Sequence, residues 1–566
     1  MNAPSLTASA ALAAPAVPAV PAEESASPSA RQAPSAHLDT FARDLLPAED
    51  AFPTLRFELP ELRYPAQVNC AEELLDGTIS RLGGDRPCVR TDDGEVWTYH
   101  EVADRVGRVA AVLVEDLGVV PGNRVLLRGP NTRWLLVCWL AALRAGAVVV
   151  TTMPLLRARE LRECLDKAAV DIALCDDRYL EELRSAGLAE ERIVSWGEGT
   201  DADLTRRAQA KSATFAPVRT AAEDIALIAF TSGTSGTPKA TAHYHRDVLA
   251  IADTFSAHLL QPRPDDVFAG SPPLAFTFGL GGLLVFPMRA GACTVMSERP
   301  APKDLFASVA RHGVTVLFTA PTAYRAILEQ LEGVDLGSLR TCVSAGEALP
   351  AAVWHAFRDA TGLRIVDGIG STEMLHVFVS AAGDDIRPGS TGRAVPGFRA
   401  KVVDEAGNTV PTGVVGMLAV QGPTGCRYLD DERQQRYVRD GWNLTGDRYL
   451  CDADGYLWHQ GRADDLIVSS GYNIAGPEVE HALAGHPDVV ESGVVGVPDE
   501  ARGTVVKAFV VLASGVLADD AKARELQAFV KNEIAPYKYP RLVEFVESLP
   551  RTDNGKLRRA VLRELS

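Results

Sequence analysis

The sequence predicts an α/β protein with largely parallel strands, in which a β-rich lobe and a small C-terminal domain follow a larger region. Three observations support this prediction. From about residue 36 onward, helical segments alternate with short β-branched runs, which is the pattern of parallel α/β layering. Near residue 400, strands follow one another through Gly and Asn turns without long helices between them. The C-terminal tail then has its own helix–strand order on the scale of a small domain.

The alternation places candidate ligand-binding residues at the ends of strands. Residues 99–118 and 132–146 have helical periodicity, and the runs 123–129 and 147–152 are predicted strands. The same alternation of strands and helices is predicted later in the chain. Three of its strands have polar or glycine-rich ends, at residues 314–320, 339–346 and 363–373. Open α/β sheets bind ligands beyond the carboxyl ends of their strands. We therefore expect the binding site at the ends of these segments.

The C-terminal order divides the chain. Residues 401–410 and 416–422 are predicted strands of the β-rich lobe. Further on, helices are predicted at 477–484 and 521–534, and strands at 491–497, 507–512 and 542–546. We therefore predict an N-terminal domain over residues 36–462 and a C-terminal domain over residues 463–566. Residues 1–35, rich in Ala and Pro and without a basic leader, are predicted to be a disordered arm rather than a targeting peptide.

Charge, hydropathy and cysteine content exclude several classes of partner. The formal net charge is −17, so a phosphate backbone or an anionic membrane would be repelled, and we expect no nucleic-acid or membrane partner. The most apolar later stretch, residues 134–143, is about half the length of a bilayer span, and we expect no transmembrane segment. None of the nine cysteines forms a close pair with metal-ligand or redox spacing, which favours a reducing cytoplasm.

The segment TSGTSGTPK, residues 231–239, is the most informative motif. It follows the apolar run IALIAF and combines hydroxyl side chains and glycines with Lys239. Such a loop can wrap backbone N–H groups and hydroxyls around a polyphosphate. It is not a Walker loop, because Ala240 rather than Ser or Thr follows Lys239. On composition alone, a flexible surface turn is the alternative interpretation.

Four further motifs supply polar groups that suit a nucleotide. GIGSTE offers Thr372 as a phosphate donor and Glu373 as a hard oxygen ligand for Mg²⁺, although it also resembles a turn into a capped helix. In TGD, Asp447 could accept both ribose hydroxyls, or form an ordinary turn. Arg462 of GRADD could add a ribose or phosphate contact, or a surface ion pair. Lys556 of PRTDNGK would, in isolation, be a solvated charge.

The order of these motifs, TSGTSGTPK, GIGSTE, TGD, GRADD and PRTDNGK, resembles the adenylate-forming superfamily of acyl-CoA synthetases, peptide-synthetase adenylation domains and luciferases. The resemblance covers nearly the whole chain after about residue 60. It implies a fold with two α/β subdomains, a β-barrel-like lobe and a small mobile α+β C-terminal domain. It also implies ATP, Mg²⁺ and coenzyme A as the cofactor and co-substrates.

The resemblance assigns a role to each motif. Lys556 would bridge the substrate carboxylate and the α-phosphate, Thr372 would touch the α-phosphate, and Glu373 would hold Mg²⁺. Asp447 and Arg462 would hold the ribose, and Asp464 would be the hinge. The implied phosphate loop is Thr231, Ser232, Gly233, Thr234, Ser235, Gly236, Thr237 and Lys239; the adenine site is Ser344, Gly346, Glu347, Asp367, Gly368, Ile369 and Gly370; and the tunnel for CoA is Ser470, Gly471 and Tyr472.

The acyl pocket in this family precedes the second nucleotide loop, and here that segment reads PLAFTFGLGG. Phe276, where many members carry His, and Phe278 favour a short pocket for a flat aromatic acid; ordinary core packing is the alternative. FGLG, GIGSTEMLH and AHLDTFARDLLP resemble the benzoate-CoA ligase branch, and within it the anthranilate (2-aminobenzoate)-CoA ligases. The resemblance implies a pocket lined by His245, Phe276, Thr277, Ala345, Gly368, Ile369 and His376.

Two of these assignments and the wider function have alternatives. His245 is also a candidate catalytic residue, together with Lys556, Glu373 and Thr372. His245 and His376 are candidates for contacts to the carboxylate edge or an ortho substituent, and either could equally be a packed histidine. An enzyme that loads a carrier protein, a luciferase-like oxidase and a non-catalytic nucleotide-binding protein are alternatives to a CoA ligase. For the CoA ligase we expect an aryl acid, ATP and CoA as small-molecule partners, a carrier protein as a possible acceptor, and a monomer or homodimer.

Overall fold

The computed structural model of the chain describes residues 33–197, 203–231, 238–298, 301–462, 466–469, 472–499, 503–534, 538–552 and 556–565. The predicted α/β class is confirmed, because two large sheets with mostly parallel strands are followed by an antiparallel sheet and by a small C-terminal αβ unit. Residues 1–32 of the predicted arm lie outside the described residues.

The first sheet contains the strand that leads into the predicted phosphate loop. Its six strands have the spatial order Ile193–Trp196, Ile172–Asp176, Arg124–Arg128, Val148–Thr152, Ile225–Thr231 and Lys239–Tyr244. Neighbours are parallel except for the last pair, which is antiparallel and sets Thr231 opposite Lys239. The two ends of the loop are therefore held side by side.

The second sheet contains the strands predicted to end at the nucleotide. Its nine strands have the spatial order Arg393–Ala394, Val377–Ser380, Ile365–Gly370, Thr341–Ala345, Val316–Thr319, Val267–Gly270, Cys293–Met296, Pro87–Thr91 and Val96–Thr98. The six strands from Ile365–Gly370 to Pro87–Thr91 are parallel, and the outer pairs are antiparallel. The carboxyl ends of the parallel strands therefore meet at one edge, as predicted.

The β-rich lobe and the C-terminal unit also follow the sequence pattern. The lobe consists of Arg399–Val403, Val415–Gln421, Trp442–Cys451, Val438–Arg439 and Leu457–Arg462. The C-terminal strands are Leu466–Ser469 with Tyr472–Ala475, and Val489–Asp499 with Gly503–Leu512 and Leu542–Phe545. The predicted C-terminal helices are observed as Gly476–Ala484 and Asp520–Glu533.

Local signals explain where the major helices begin. Thr98 and Glu101 form a reciprocal capping box before helix Tyr99–Ala111, and the Thr132 hydroxyl caps helix Arg133–Arg144. The other α-helices of four or more residues are Phe41–Asp44, Cys70–Leu74, Asp76–Leu82, Ala158–Ala168, Leu180–Ser185, Asp203–Gln209, His245–Ile251, Thr277–Leu280, Phe286–Ala290, Pro302–His312, Pro321–Leu328, Ala351–Thr361, Gln434–Tyr437 and Arg559–Glu564. Wider π-helical segments follow three helices, at Val112–Asp116, Ala252–Leu260 and Gly281–Val285.

The most apolar helix belongs to the core. Every residue of Arg133–Arg144 except the first is buried. Across the described residues, no helix has both the length and the apolar character needed to cross a membrane. Eight of the nine cysteines are buried and none forms a disulfide, in agreement with their prediction as isolated thiols.

Candidate active site

The predicted phosphate loop connects two antiparallel strands of the first sheet. Thr231 is the last residue of one strand and Lys239 is the first residue of the next. The residues between them that carry most of the predicted phosphate contacts, Ser232, Gly233, Thr234, Ser235, Gly236 and Thr237, lie outside the described residues. The register nevertheless fixes the Lys239 side chain at the base of the loop.

A single tyrosine joins Lys239 to the predicted metal ligand. The ammonium of Lys239 donates a hydrogen bond to Tyr428 Oη at 3.2 Å, and this hydroxyl donates to Glu373 Oε1 at 2.5 Å. Burial, reinforced by the charge of Glu373, raises the pKa of Tyr428 well above its ordinary value, so the phenol keeps its proton and donates. We call these three residues the Tyr428 bridge. Tyr428 belongs to none of the predicted motifs and lies 55 residues beyond Glu373.

A buried histidine supports the neighbouring residue of the same motif. His243 Nε2 donates to the backbone carbonyl of Thr372 at 2.8 Å. The ring is fully buried, and burial lowers the pKa of His243 to about 4, so it is neutral near pH 7. Behind it, the fully buried Arg427 and Asp247 form an ion pair at 2.7 Å. This arrangement ties Thr372 to strand Lys239–Tyr244.

His245 lies elsewhere. It is the first residue of helix His245–Ile251, and its Nδ1 accepts a hydrogen bond from the backbone N–H of Cys70 at 3.2 Å. The ring is fully buried, and burial lowers its pKa to about 3. Among the described residues, no hydrogen bond or ring contact joins His245 to Phe276 or His376. The structure therefore gives His245 the position of a packed histidine, which was the alternative interpretation from the sequence.

His376, by contrast, is buried among aromatic rings. Its ring centroid is 4.6 Å from Phe286, 5.4 Å from Phe255 and 5.8 Å from Phe278. A Cβ added to Gly281 would lie 2.5 Å from His376 Nε2, so only glycine permits this approach. We call these residues the His376 pocket.

The imidazole of the His376 pocket is buried and neutral. Burial lowers the pKa of His376 to about 3, and the backbone of Phe278 offsets this only in part. Neither ring nitrogen makes a hydrogen bond of normal geometry to a described residue. A buried imidazole without such a bond is costly unless another group satisfies it.

The two phenylalanines predicted for the pocket differ in their contacts with His376. Phe276 precedes the short helix Thr277–Leu280 and is half-buried, whereas Phe278 packs between His376 and Phe318. Phe255 and Phe286 were missed, because in sequence they resemble ordinary core positions of helices. The glycine wall expected from FGLG is observed as Gly281 with Gly282, whose added Cβ would lie 2.5 Å from the Phe318 ring.

The predicted adenine residues lie on two neighbouring parallel strands. Ser344 is opposite Asp367, and Ala345 is opposite Gly368. Burial raises the pKa of Asp367 to about 8, against the opposing effects of the Ser344 hydroxyl and the Gly368 backbone. Ile369 and Gly370 continue the second strand, and Gly346, with φ +91°, turns the first strand toward Glu347.

The two predicted ribose residues lie on neighbouring strands of the β-rich lobe. Asp447 and Arg462 are directly opposite each other in antiparallel strands. The TGD motif lies within strand Trp442–Cys451, where Gly446 has φ +78° and the N–H of Asp447 donates to the Thr445 hydroxyl at 3.1 Å. The side chain of Arg462 lies outside the described residues, as do Asp464, Ser470, Gly471 and the side chain of Tyr472.

Lys556 lies on the C-terminal unit and acts electrostatically on Glu347 of the predicted adenine site. Burial raises the pKa of Glu347, and the positive charges of Arg551, Arg325 and Lys556 oppose this effect. Lys556 therefore lies within electrostatic reach of the predicted adenine site. Its backbone N–H donates to the Thr552 hydroxyl at 3.1 Å.

One cluster outside this region has the composition of a metal site. His486, Asp488 and Glu525 offer ligand atoms close together in the described C-terminal unit. Lys522 already donates to Asp488 at 2.6 Å and to Glu525 at 2.7 Å. The carboxylates are therefore paired with an ammonium, and the cluster is an ion-pair network.

Comparison with known proteins agrees with this geometry. The family described as AMP-binding enzyme matches residues 78–427, and its C-terminal domain matches residues 478–556. A benzoate–CoA ligase from Thauera aromatica is 35% identical over 514 residues, covering 89% of this chain and 97% of the relative. An anthranilate CoA ligase, AuaEII, solved with anthranoyl-AMP, has a TM-score of 0.85 at 32% identity, covering 90% of this chain and 99% of that one.

A second similar structure holds ATP. It is MatB from Rhodopseudomonas palustris, with a TM-score of 0.81 and 31% identity over 88% of this chain and 98% of that one. These similarities extend over both the large sheets and the C-terminal unit. The chain therefore belongs to the AMP-binding enzyme family of CoA ligases, on the branch that contains the benzoate–CoA ligases.

Proposed function

We propose that this aryl-acid CoA ligase acts on anthranilate, using ATP to form aryl-AMP and then CoA to form the thioester. The observation that carries the substrate assignment is the His376 pocket, where aromatic walls surround a neutral imidazole whose nitrogens make no hydrogen bond of normal geometry to described residues. The relatives named for benzoate and for anthranilate support the same class of acid. Benzoate and hydroxybenzoates are the alternative acids.

In the first half-reaction, a carboxylate oxygen of the acid attacks the α-phosphorus of ATP and pyrophosphate leaves. We assign the β- and γ-phosphates to the loop between Thr231 and Lys239, and the α-phosphate to Thr372. Lys556 neutralises the negative charge that builds between the carboxylate and the α-phosphate, which lowers the barrier without any proton transfer.

Glu373 is the proposed ligand for Mg²⁺. A carboxylate is the kind of hard oxygen donor that this ion prefers. The Tyr428 bridge holds Glu373 next to the base of the phosphate loop, so the residues present fit the ion. When bound, Mg²⁺ would neutralise part of the phosphate charge.

The remaining nucleotide contacts and the second half-reaction complete the proposal. We assign adenine to the paired strand ends that carry Ser344 and Asp367, and the ribose to Asp447 with Arg462. We further propose that residues 463–566 form a mobile domain that rotates at Asp464. Rotation would withdraw Lys556 and bring Ser470, Gly471 and Tyr472 to the tunnel through which the CoA thiol attacks the acyl carbon and displaces AMP.

The choice of anthranilate depends on hydrogen bonding at His376. A neutral imidazole has one N–H donor and one acceptor nitrogen. An ortho amine can donate to the acceptor nitrogen while the ring packs against Phe286 and Phe278. Benzoate would pack against the same aromatic rings but would leave the acceptor nitrogen of His376 without a hydrogen bond.

A substrate panel tests the assignment. CoA-dependent AMP release would be measured with anthranilate, benzoate, 2-, 3- and 4-hydroxybenzoate and hexanoate. We expect the highest kcat/KM for anthranilate and little turnover of hexanoate. A higher kcat/KM for benzoate would contradict the anthranilate assignment, and equal turnover of hexanoate would contradict the aromatic pocket.

A further inference from the structure

Four side chains of alternating charge connect the C-terminal unit to the predicted adenine site. They are Arg325, Glu491, Arg551 and Glu347. Arg551 lies between two carboxylates, with Nη1 3.2 Å from Glu347 Oε1 and Nη2 2.5 Å from Glu491 Oε2. Arg325 then lies 3.5 Å from the same oxygen of Glu491 and donates to the backbone carbonyl of Val490 at 2.9 Å. Two of the four residues lie within the N-terminal family match and two within the C-terminal match.

These four residues are partly shielded from solvent. Their side chains are 17 to 32% exposed, so water screens these pairs less than it would screen fully exposed ones. Arg551 is central, because it contacts one carboxylate from each side of the interface. Its guanidinium offers several N–H donors in a fixed plane, a geometry that a lysine does not provide.

Arg551 also belongs to the turn that carries Lys556. The N–H of Thr552 donates to the carbonyl of Lys556 at 2.8 Å, and the N–H of Arg558 donates to the carbonyl of Pro550 at 2.9 Å. An isolated bridge pairs Arg551 with Leu557. A displacement of Arg551 is therefore transmitted through a few backbone hydrogen bonds to Lys556.

We propose that Arg551 is a positioning residue for the adenylation half-reaction, holding the Lys556 turn against the nucleotide side through Glu347 while Glu491 orients its guanidinium. The inference rests on the proposed function, in which Lys556 acts in adenylation and withdraws before thioester formation. The bond between Arg551 and Glu347 then exists only in the first arrangement. Its loss should slow the first half-reaction and leave the second unchanged.

The experiment compares Arg551→Gln with Arg559→Gln in the full chain. Arg559 follows the same turn, but pairs with Glu480 inside the C-terminal unit, at 2.5 and 2.7 Å. Arg559→Gln therefore removes a similar ion pair that lies within the C-terminal unit. Pyrophosphate exchange with anthranilate would report adenylation, and CoA addition to supplied aryl-AMP would report thioester formation.

We expect Arg551→Gln to lower the exchange rate at least about tenfold, since a misplacement of about 1 Å can cost about 100-fold. Thioester formation should remain within about twofold of wild type, and Arg551→Lys should restore only part of the exchange. Glu491→Gln should act in the same direction and less than additively with Arg551→Gln. Equal losses in both half-reactions, no loss in either, or the same split in Arg559→Gln would overturn the proposal.

Hydrogen–deuterium exchange provides a readout that needs no catalysis. Amides of residues 556–558 should exchange faster in Arg551→Gln than in wild type, while helix Asp520–Glu533 keeps its protection and shows that the domain is folded. Unchanged exchange in the turn would also overturn the proposal. A wild-type enzyme that lacks pyrophosphate exchange with every aryl acid would contradict the proposed function, while the amide exchange would still decide the role of Arg551.

Discussion

Tyr428 Oη donates a 2.5 Å hydrogen bond to Glu373 Oε1 and accepts one from Lys239. One neutral phenol thus connects the start of the strand after the phosphate loop to the carboxylate proposed to hold Mg²⁺. Because Tyr428 is fully buried and Glu373 nearly so, the bond fixes the direction of the carboxylate. If Glu373 holds Mg²⁺ as proposed, Tyr428 orients that ligand.

Tyr428→Phe should weaken the binding of Mg²⁺. Loss of a hydrogen bond to a charged group costs about 1.5 to 3 kcal/mol, or roughly 10- to 150-fold in affinity. The measurement is the Mg²⁺ concentration that gives half-maximal pyrophosphate exchange. Tyr437→Phe is the matched control, since Tyr437 contacts the Tyr428 ring edge-on and its hydroxyl lies 3.3 Å from Ser371. A Mg²⁺ requirement equal to that of wild type in Tyr428→Phe would remove the bridge from metal binding.

His376→Phe should reduce the preference for anthranilate over benzoate. The substitution keeps an aromatic ring among Phe255, Phe278 and Phe286 but removes both nitrogens. We expect the ratio of kcat/KM values for anthranilate and benzoate to fall about tenfold, which corresponds to about 1.4 kcal/mol for one hydrogen bond. In Phe278→Leu, both acids should lose activity to a similar degree. An unchanged ratio in His376→Phe would show that another residue recognises the substituent.

Gly281→Ala should obstruct the acid pocket without affecting the nucleotide site. The new methyl group would lie 2.5 Å from His376 Nε2, and overpacking of this kind costs about 1 to 3 kcal/mol. We therefore expect a higher KM for anthranilate and an unchanged KM for ATP. Gly77→Ala is the control, because its Cβ would come no nearer than 3.6 Å to a neighbour. Equal effects on both KM values would argue against the pocket.

Acidification should destabilise the protein through its buried histidines. Burial lowers the pKa of His245 from 6.5 to about 3, so below pH 6.5 the unfolded chain binds a proton that the folded chain excludes. Stability from this residue is therefore present above pH 6.5 and lost as the pH falls. Between pH 7 and pH 5, wild type should lose about 2 kcal/mol more unfolding free energy than His245→Leu.

Denaturant unfolding at several pH values checks this difference. His100→Leu serves as the control, because His100 is exposed and its pairing partner Asp85 is almost fully exposed. Parallel pH profiles of the unfolding free energy for wild type and His245→Leu would contradict this prediction, because they would show that His245 binds a proton equally well in the folded and unfolded states.

Local sequence patterns were sufficient to predict the scaffold. The strand ends Thr341–Ala345 and Ile365–Gly370 lie beside each other because parallel strands align their carboxyl ends. The family resemblance implied that Asp447 and Arg462 share the ribose, but local patterns did not predict that their motifs lie on adjacent strands of the β-rich lobe. The five C-terminal elements predicted from the sequence lie within a few residues of their observed bounds, whereas strands Leu466–Ser469 and Tyr472–Ala475 and helix Arg559–Glu564 were not predicted.

Contacts between distant segments could not be predicted in the same way. Tyr428 meets Glu373 through tertiary packing, and no spacing rule connects them. His245 and His376 were both candidates for substrate contacts, and both are buried. Their surroundings separate them, since His245 packs on Cys70 and His376 lies among aromatic rings. Phe255 and Phe286 carry the periodicity of core helices, so their position around His376 depends on how those helices pack.

The most direct test of the account follows the acyl group through both steps in one sample by mass spectrometry. The enzyme would be incubated with anthranilate, ATP and Mg²⁺, and CoA would be added after the signals become constant. We predict that anthranoyl-AMP and pyrophosphate accumulate first, and that CoA then converts the adenylate to anthranoyl-CoA and AMP. Absence of the adenylate before CoA, or its persistence after CoA without thioester, would contradict the account.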